Sequence, residues 1–262
     1  MNFGPLLFLG IFFTFASAWI GLVFLPASTL SHIKATQAEG STVSNPRAYT
    51  GNEQLGREIY QRDGCVYCHT QQVRGGQYNN DLARGWGTRR SHPQDYIYDY
   101  PVLLGTMRTG PDLQNIGARQ SNDNWHYMHL YDPQLISPGS IMAPFRYLFE
   151  MRKIGRSPAA EALKLGYVFV TISGAPDKVL GDLKSAGFNL IEQRGERYVG
   201  AFDPAKMSAL LAIPGVSKVE PYLPAGQEVV PTDEARHLVA YLKSMDHSYD
   251  IPPETAYGHH GD

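Results

Sequence analysis

Apolar positions change their rhythm several times along this chain. From 3 to 25 they are almost unbroken: FGPLLFLGIFFTFASAWIGLVFL holds no charged residue. As a helix rising 1.5 Å per residue it would run about 35 Å, enough to cross a hydrocarbon core of roughly 30 Å. Trp19 would lie toward the far headgroups, and Pro26 is expected to stop the helix. From 31 to 52 the chain turns to Gly, Ser, Thr, Asn and Pro without a hydrophobic period, which predicts a linker. Helical spacing returns at 52–62 with Leu55, Ile59 and Tyr60. It returns again at 232–246, where Leu238, Tyr241 and Leu242 form a stripe behind the N-cap candidate Thr232 and the acidic Glu234.

Between 166 and 222 the rhythm alternates. Residues 167–172, 188–193, 198–202 and 216–222 read as strands, and 176–186 and 204–213 as helices, with a turn at Arg194-Gly195-Glu196. The order βαββαβ predicts a small ferredoxin-like module whose helices cover one face of a four-stranded antiparallel sheet. It holds no ligand cluster, phosphate loop or catalytic pair, so a docking or spacer role is expected.

Composition changes this picture at one point. The 262 residues carry a formal net charge of −2, which argues against a nucleic-acid partner. The two cysteines stand three apart, too close for a loop-closing disulfide to stabilise a chain of this size. They lie in Gly64-Cys65-Val66-Tyr67-Cys68-His69, a C-x-x-C-H motif. Two thiols at that spacing each form a thioether to a haem vinyl group, and the adjacent histidine becomes the proximal iron ligand. A thioredoxin-like pair would not need the histidine, and a zinc site would need two more soft ligands. Haem attachment of this kind belongs outside the cytoplasm, which places the N-terminus inside and the rest of the chain outside. A cleaved signal ending at Ala16-Ser17-Ala18 is the rival for the first segment. No basic residue precedes the apolar run, however, and it continues past Ala18.

The sixth iron ligand should be Met or His. Met107, Met128, Met142, Met151, Met207 and Met245 are the downstream methionines, along with several histidines. Met142 differs because it lies among turn residues, in Ser137-Pro138-Gly139-Ser140-Ile141-Met142-Ala143-Pro144, where a loop could drape over a haem face. Met207 and Met245 follow helical patterns and read as packing. His/Met ligation would close the iron and favour electron transfer over oxygen binding.

These segments resemble subunit II, the mono-haem cytochrome c subunit, of the cbb3-type cytochrome c oxidases. The resemblance is carried by Gly56-Arg57-Glu58-Ile59-Tyr60, the C-x-x-C-H motif with Thr70-Gln71, Asp99-Tyr100-Pro101, and Gly105-Thr106-Met107-Arg108-Thr109-Gly110-Pro111-Asp112-Leu113. It continues through Gly117-Ala118-Arg119, Trp125-His126, His129-Leu130, Asp132-Pro133, Met142-Ala143-Pro144, Val230-Pro231-Thr232-Asp233 and Ala240-Tyr241-Leu242. It implies a mainly α fold: a transmembrane anchor and a cytochrome c-type haem domain, into which the α+β module is inserted. The first and last helices of such a domain cross, so Gly56 and Tyr60 should meet Leu238 and Tyr241. The layout expected is an anchor at 1–30, a linker at 31–51, the haem domain at 52–165 and 223–250, the module at 166–222 and a flexible tail at 251–262. His259 and His260 in that tail could bind metal.

The resemblance implies one covalent haem c, with Met142 opposite His69 and the Pro111 carbonyl accepting from the other ring nitrogen of His69. Arg74, Arg108 and Arg119 are candidates for the haem propionates, and Trp125 for pocket packing. It implies electrons taken from a di-haem or other c-type cytochrome and passed to the b-type haem of a catalytic haem–copper subunit in a bacterial inner membrane. Oxygen is reduced in that other subunit, not here. The family's Met-Pro is Met142-Ala143-Pro144 in this chain, and the 166–221 segment has no counterpart in it. Other readings are a nitric oxide reductase-like subunit, a free tethered shuttle, or a haem sensor with an open iron position.

Overall fold

A computed structural model describes residues 3–37, 42–77 and 79–251, so the His259–His260 tail falls outside the described residues. The chain divides into two compact units. One holds Met1–Tyr49, Val66–Asn115 and Met245–Asp262; the other holds Thr50–Cys65 and Ile116–Ser244.

The first unit begins with α1, Gly4–Leu30, the one helix among the described residues long and apolar enough to cross a membrane. Its 27 residues span about 40 Å. Pro26 does not stop it. A π-helical turn at Ile20–Phe24 ends two residues before the proline, and the wider turn absorbs the missing N–H and the ring's conflict with the carbonyl four residues back. Thr14 and Ser17 return their hydroxyls to the carbonyls of Gly10 and Thr14, at 2.8 and 3.0 Å. Their polarity is therefore met inside the helix, as hydrocarbon requires.

Two pieces of the segment expected as a linker are pinned. Thr36–Gln37 pairs antiparallel with Ser44–Asn45, and the fully buried Gln94 donates to Thr36 Oγ1 at 2.9 Å and to the Asn45 carbonyl at 3.0 Å. At Thr36–Gln37 and Ser44–Asn45 it is hydrogen bonds, rather than apolar burial, that hold the chain.

The second unit is organised by two crossing helices, α2 (Gly51–Arg62) and α8 (Asp233–Ser244). Glu53 closes a capping box on Thr50 at the start of α2, with a 2.7 Å bond from the Thr50 N–H. At the crossing, a Cβ on Gly56 would fall 1.9 Å from the His237 carbonyl oxygen and 2.7 Å from Tyr241 Cβ. Only glycine fits. Tyr60 and Tyr241, both fully buried, meet edge to face at 5.5 Å. The buried face of α2 runs through Gly56, Ile59 and Tyr60, while Leu55 is 45% exposed. The partner helix sets the buried face, and the glycine contact draws it away from Leu55.

Between these helices come α3 (Ile116–Arg119), α4 (Asp123–Tyr131), α5 (Pro133–Ile136) and β1 (Phe149–Lys153). Next are β2 (Tyr167–Ile172), α6 (Pro176–Ser185), β3 (Asn189–Arg194), β4 (Arg197–Ala201), α7 (Met207–Leu211), β5 (Val216–Pro221) and β6 (Gln227–Pro231). Strands β2 to β5 form one antiparallel sheet in the order β3-β4-β2-β5. Val168, Val170, Val179, Leu183, Phe188 and Leu210 make its core. Gly200 leaves room for the Phe188 ring, whose Cζ would otherwise lie 2.3 Å from a Cβ. The expected second helix, 204–213, is a 3₁₀ turn at Pro204–Lys206 followed by the short α7. Unforeseen from the sequence, β1 and β6 pair antiparallel and close a two-stranded neck through which the module leaves and rejoins the chain.

Candidate haem site

Within the first unit, the segment after Cys68 is zipped between two others. Gly110 N–H donates to the Cys68 carbonyl at 2.9 Å, Leu113 N–H to the Thr70 carbonyl at 2.8 Å, and Gln71 N–H to the Leu104 carbonyl at 3.0 Å. His69 Nδ1 stands 2.7 Å from the Pro111 carbonyl oxygen. A carbonyl can only accept, so the proton is on Nδ1 and the lone pair on Nε2. That is the tautomer an iron ligand needs.

Two glycines shape the space around this histidine. A Cβ on Gly110 would lie 2.2 Å from His69 Cε1 and 2.7 Å from both ring nitrogens. Gly105 adopts φ +74°, and its Cβ would fall 2.4 Å from the His69 carbonyl oxygen. Side chains at either position would displace the ring or its backbone.

A buried polar scaffold lies behind the loop. Asp112, with no solvent exposure, accepts from Thr70 Oγ1 at 2.6 Å, Gln72 N–H at 2.8 Å and Gln114 N–H at 2.9 Å. Arg108 donates through Nε to Thr70 Oγ1 at 2.9 Å, through Nη1 to Asp81 at 2.7 Å and through Nη2 to the Gln72 carbonyl at 2.6 Å. Its guanidinium also lies 5.3 Å from the Trp86 ring centre. Asp81, fully buried, takes a further bond from the Arg74 N–H, while the Arg74 residue itself is exposed. Sequence reading assigned a role to Pro111 and none to its neighbour Asp112 or to Asp81. The signal available was the Gly110-Pro111-Asp112 run itself, whose aspartate shares the segment with the histidine's acceptor.

The other candidates lie in the second unit, or at its boundary. Cys65 begins the 3₁₀ turn Cys65–Tyr67, and neither cysteine is in a disulfide. Arg119 is half-buried at the end of α3, and Trp125 on α4 stacks on His129 at 4.8 Å with the planes 9° apart. Met142 is half-buried in the loop between α5 and the 3₁₀ turn Arg146–Leu148. Of the other methionines, Met128 and Met245 are 3% and 1% exposed, as packing residues are, and Met107 and Met151 are more than half exposed.

The 65–69 segment suits a haem: two thiols three residues apart and the adjacent histidine with its Nε2 lone pair. The family model described as cytochrome c oxidase, mono-heme subunit/FixO, matches residues 7–248. No curated protein sequence matches the chain. With the match spanning nearly its whole length, the chain belongs to the FixO family, the mono-haem cytochrome subunit of the cbb3-type cytochrome c oxidases.

Proposed function

We propose that this subunit relays single electrons from a donor c-type cytochrome to the catalytic haem–copper subunit, through one haem c bound covalently at Cys65 and Cys68. The observation that carries this reading is the Nδ1 contact of His69 with Pro111, immediately after the C-x-x-C pair. When bound, haem supplies a reversible one-electron carrier. The chain's own residues do the rest. His69 would hold the iron through Nε2, with the bond to Pro111 fixing its ring and raising its basicity. Met142 would be the second protein ligand, a pairing that favours electron transfer over ligand binding. Arg74 and Arg119 would pair with the propionates. Arg108, the third candidate, acts by holding the loop through Thr70, Asp81 and Gln72.

In this reading the haem domain is 52–165 with 223–250, and it faces the periplasmic side of a bacterial inner membrane, held there by the 1–30 anchor and the 31–51 linker. The strand order β3-β4-β2-β5 and the element order βαββαβ support a ferredoxin-like inserted module.

The test is made on the intact oxidase. Cys65→Ala with Cys68→Ala should abolish haem staining of this chain on a denaturing gel. It should also stop donor-driven oxygen uptake while leaving the b-type haem in the complex. Uptake at the native rate without covalent haem would refute the relay.

A further inference from the structure

The inserted module holds the cytochrome part of the second unit at one buried carboxylate. Asp132, at the start of α5 and 3% exposed, accepts a bidentate pair from Arg194 at the end of β3, both bonds 2.9 Å. Tyr222, just past β5, also donates to it, and its ring stacks on Phe169 of the module's sheet at 5.2 Å. Arg146 donates to the same carboxylate at 2.8 Å, and to the Tyr222 hydroxyl at 3.0 Å. Glu192 pairs with Arg194 Nε and aligns the fork.

Arg146 ends the loop that carries Met142, where Phe145 N–H is bonded to the Leu130 carbonyl at 2.8 Å. The loop's beginning is held as well. Gln134 Nε2 donates to the Ser140 carbonyl at 3.1 Å, two residues before the methionine, and Gln134 Oε1 accepts from Arg194 Nη2 at 3.4 Å. One guanidinium of the module thus reaches the anchors of both loop ends.

We propose that the module braces the Met142 loop, with Arg194 and Tyr222 as positioning residues for the methionine. This rests on Met142 being the axial ligand. Without the brace, the loop opens more often. An exogenous ligand binds only the loop-open state, so its apparent affinity rises in proportion to the open fraction.

The experiment uses the full-length, haem-loaded chain in detergent, with imidazole as the probe of the oxidised haem. Arg194→Ala should bind imidazole about tenfold more tightly and weaken the far-red sulfur-to-iron charge-transfer band, with covalent haem unchanged. Tyr222→Phe keeps the ring stack and loses only the hydroxyl, so it should shift both readouts less, in the same direction. Arg194→Lys keeps the charge without the fork and should fall between native and Arg194→Ala. Arg152→Ala breaks the neck's pair with Glu228, 2.9 Å long, a carboxylate whose other described bond is to the Ala159 N–H, and should leave both readouts native. Met142→Ala should abolish the band. If it does not, the ligand assignment falls and the brace with it. If it does, while Arg194→Ala and Tyr222→Phe leave band and affinity native, the brace alone is refuted. An equal shift in Arg152→Ala would also refute it, by showing general loosening.

Discussion

The loop around His69 and the α+β module at 167–221 are held together by opposite means. The module is ordered by apolar burial: six buried side chains form its core under a four-stranded sheet. The histidine loop, among its described residues, has little regular structure. It is fixed by Asp112, Arg108 and Asp81, and by two glycines that leave the imidazole room. The comparison teaches that a hydrophobic core sets a shape, whereas a polar scaffold sets the direction of individual atoms. Aiming Nε2 at an iron needs the second, because each hydrogen bond fixes a donor and an acceptor to within a few tenths of an ångström.

The sharpest way to break the comparison is to damage each region by its own logic. Phe188→Ala empties the space over Gly200 and should destabilise the module by about 3–5 kcal/mol. The check is differential scanning calorimetry, with the stoichiometry of covalent haem unchanged. A comparable loss of covalent haem would show that the two regions fold as one. Asp112→Asn is smaller in volume and different in kind. It removes a buried charge that three donors address, and should cost about 2 kcal/mol through weakened charge-assisted bonds. Its signature is a shifted haem reduction potential in redox titration, with the module's unfolding unaltered. Gly110→Ala should cost less stability still, yet move the potential too, because the ring must rotate away from the new methyl group. A native potential in Gly110→Ala would mean that the glycine matters only for the turn.

Legibility divides along the same line. Apart from the helix expected at 204–213, the module's elements were readable to within a residue or two because strand and helix periods follow from burial: Val168, Val170 and Phe188 announce an inner face. The C-x-x-C-H motif was readable because its chemistry is local. The Gly56 crossing was foreseen through the family resemblance, which implies that the first and last helices cross, with glycine permitting the close approach. The neck formed by β1 and β6 was hidden, because 149–153 and 227–231 pair across a long separation and neither has a clean alternation. The π-turn that carries α1 past Pro26 has no sequence period at all. Asp132 and Asp112 were visible as motif letters, but their roles depend on Arg194, 62 residues from the first, and on Thr70, 42 residues from the second. Polar partners this far apart leave no mark on local pattern.

Acid gives the smallest effect and separates the two units, since Asp132 in the second and Asp95 in the first are each held ionised by several donors. Burial of Asp132 favours its neutral form, but hydrogen bonds from Arg194 and Tyr222, the Arg194 charge and a bond from Arg146 outweigh it and hold the carboxyl below its ordinary value. Burial likewise opposes ionisation of Asp95, and the bonds from Arg89, the His92 N–H and Tyr249 overcome it. A carboxyl whose folded value is depressed contributes stability that is fully present above the unfolded value of about 4. That contribution is lost as pH falls through the folded value. Lowering the pH from neutrality to below about 4 should therefore destabilise both joints. The order of failure is open to measurement: Asp132→Asn should flatten the acid dependence of the second unit, and Asp95→Asn that of the first. If the Met142 loop is braced through Asp132, the far-red band should fade with the acid transition that Asp132→Asn removes and survive the one that Asp95→Asn removes. A band that follows the Asp95 transition instead would show that Asp132 does not govern the methionine loop, and would leave the module without a hold on it.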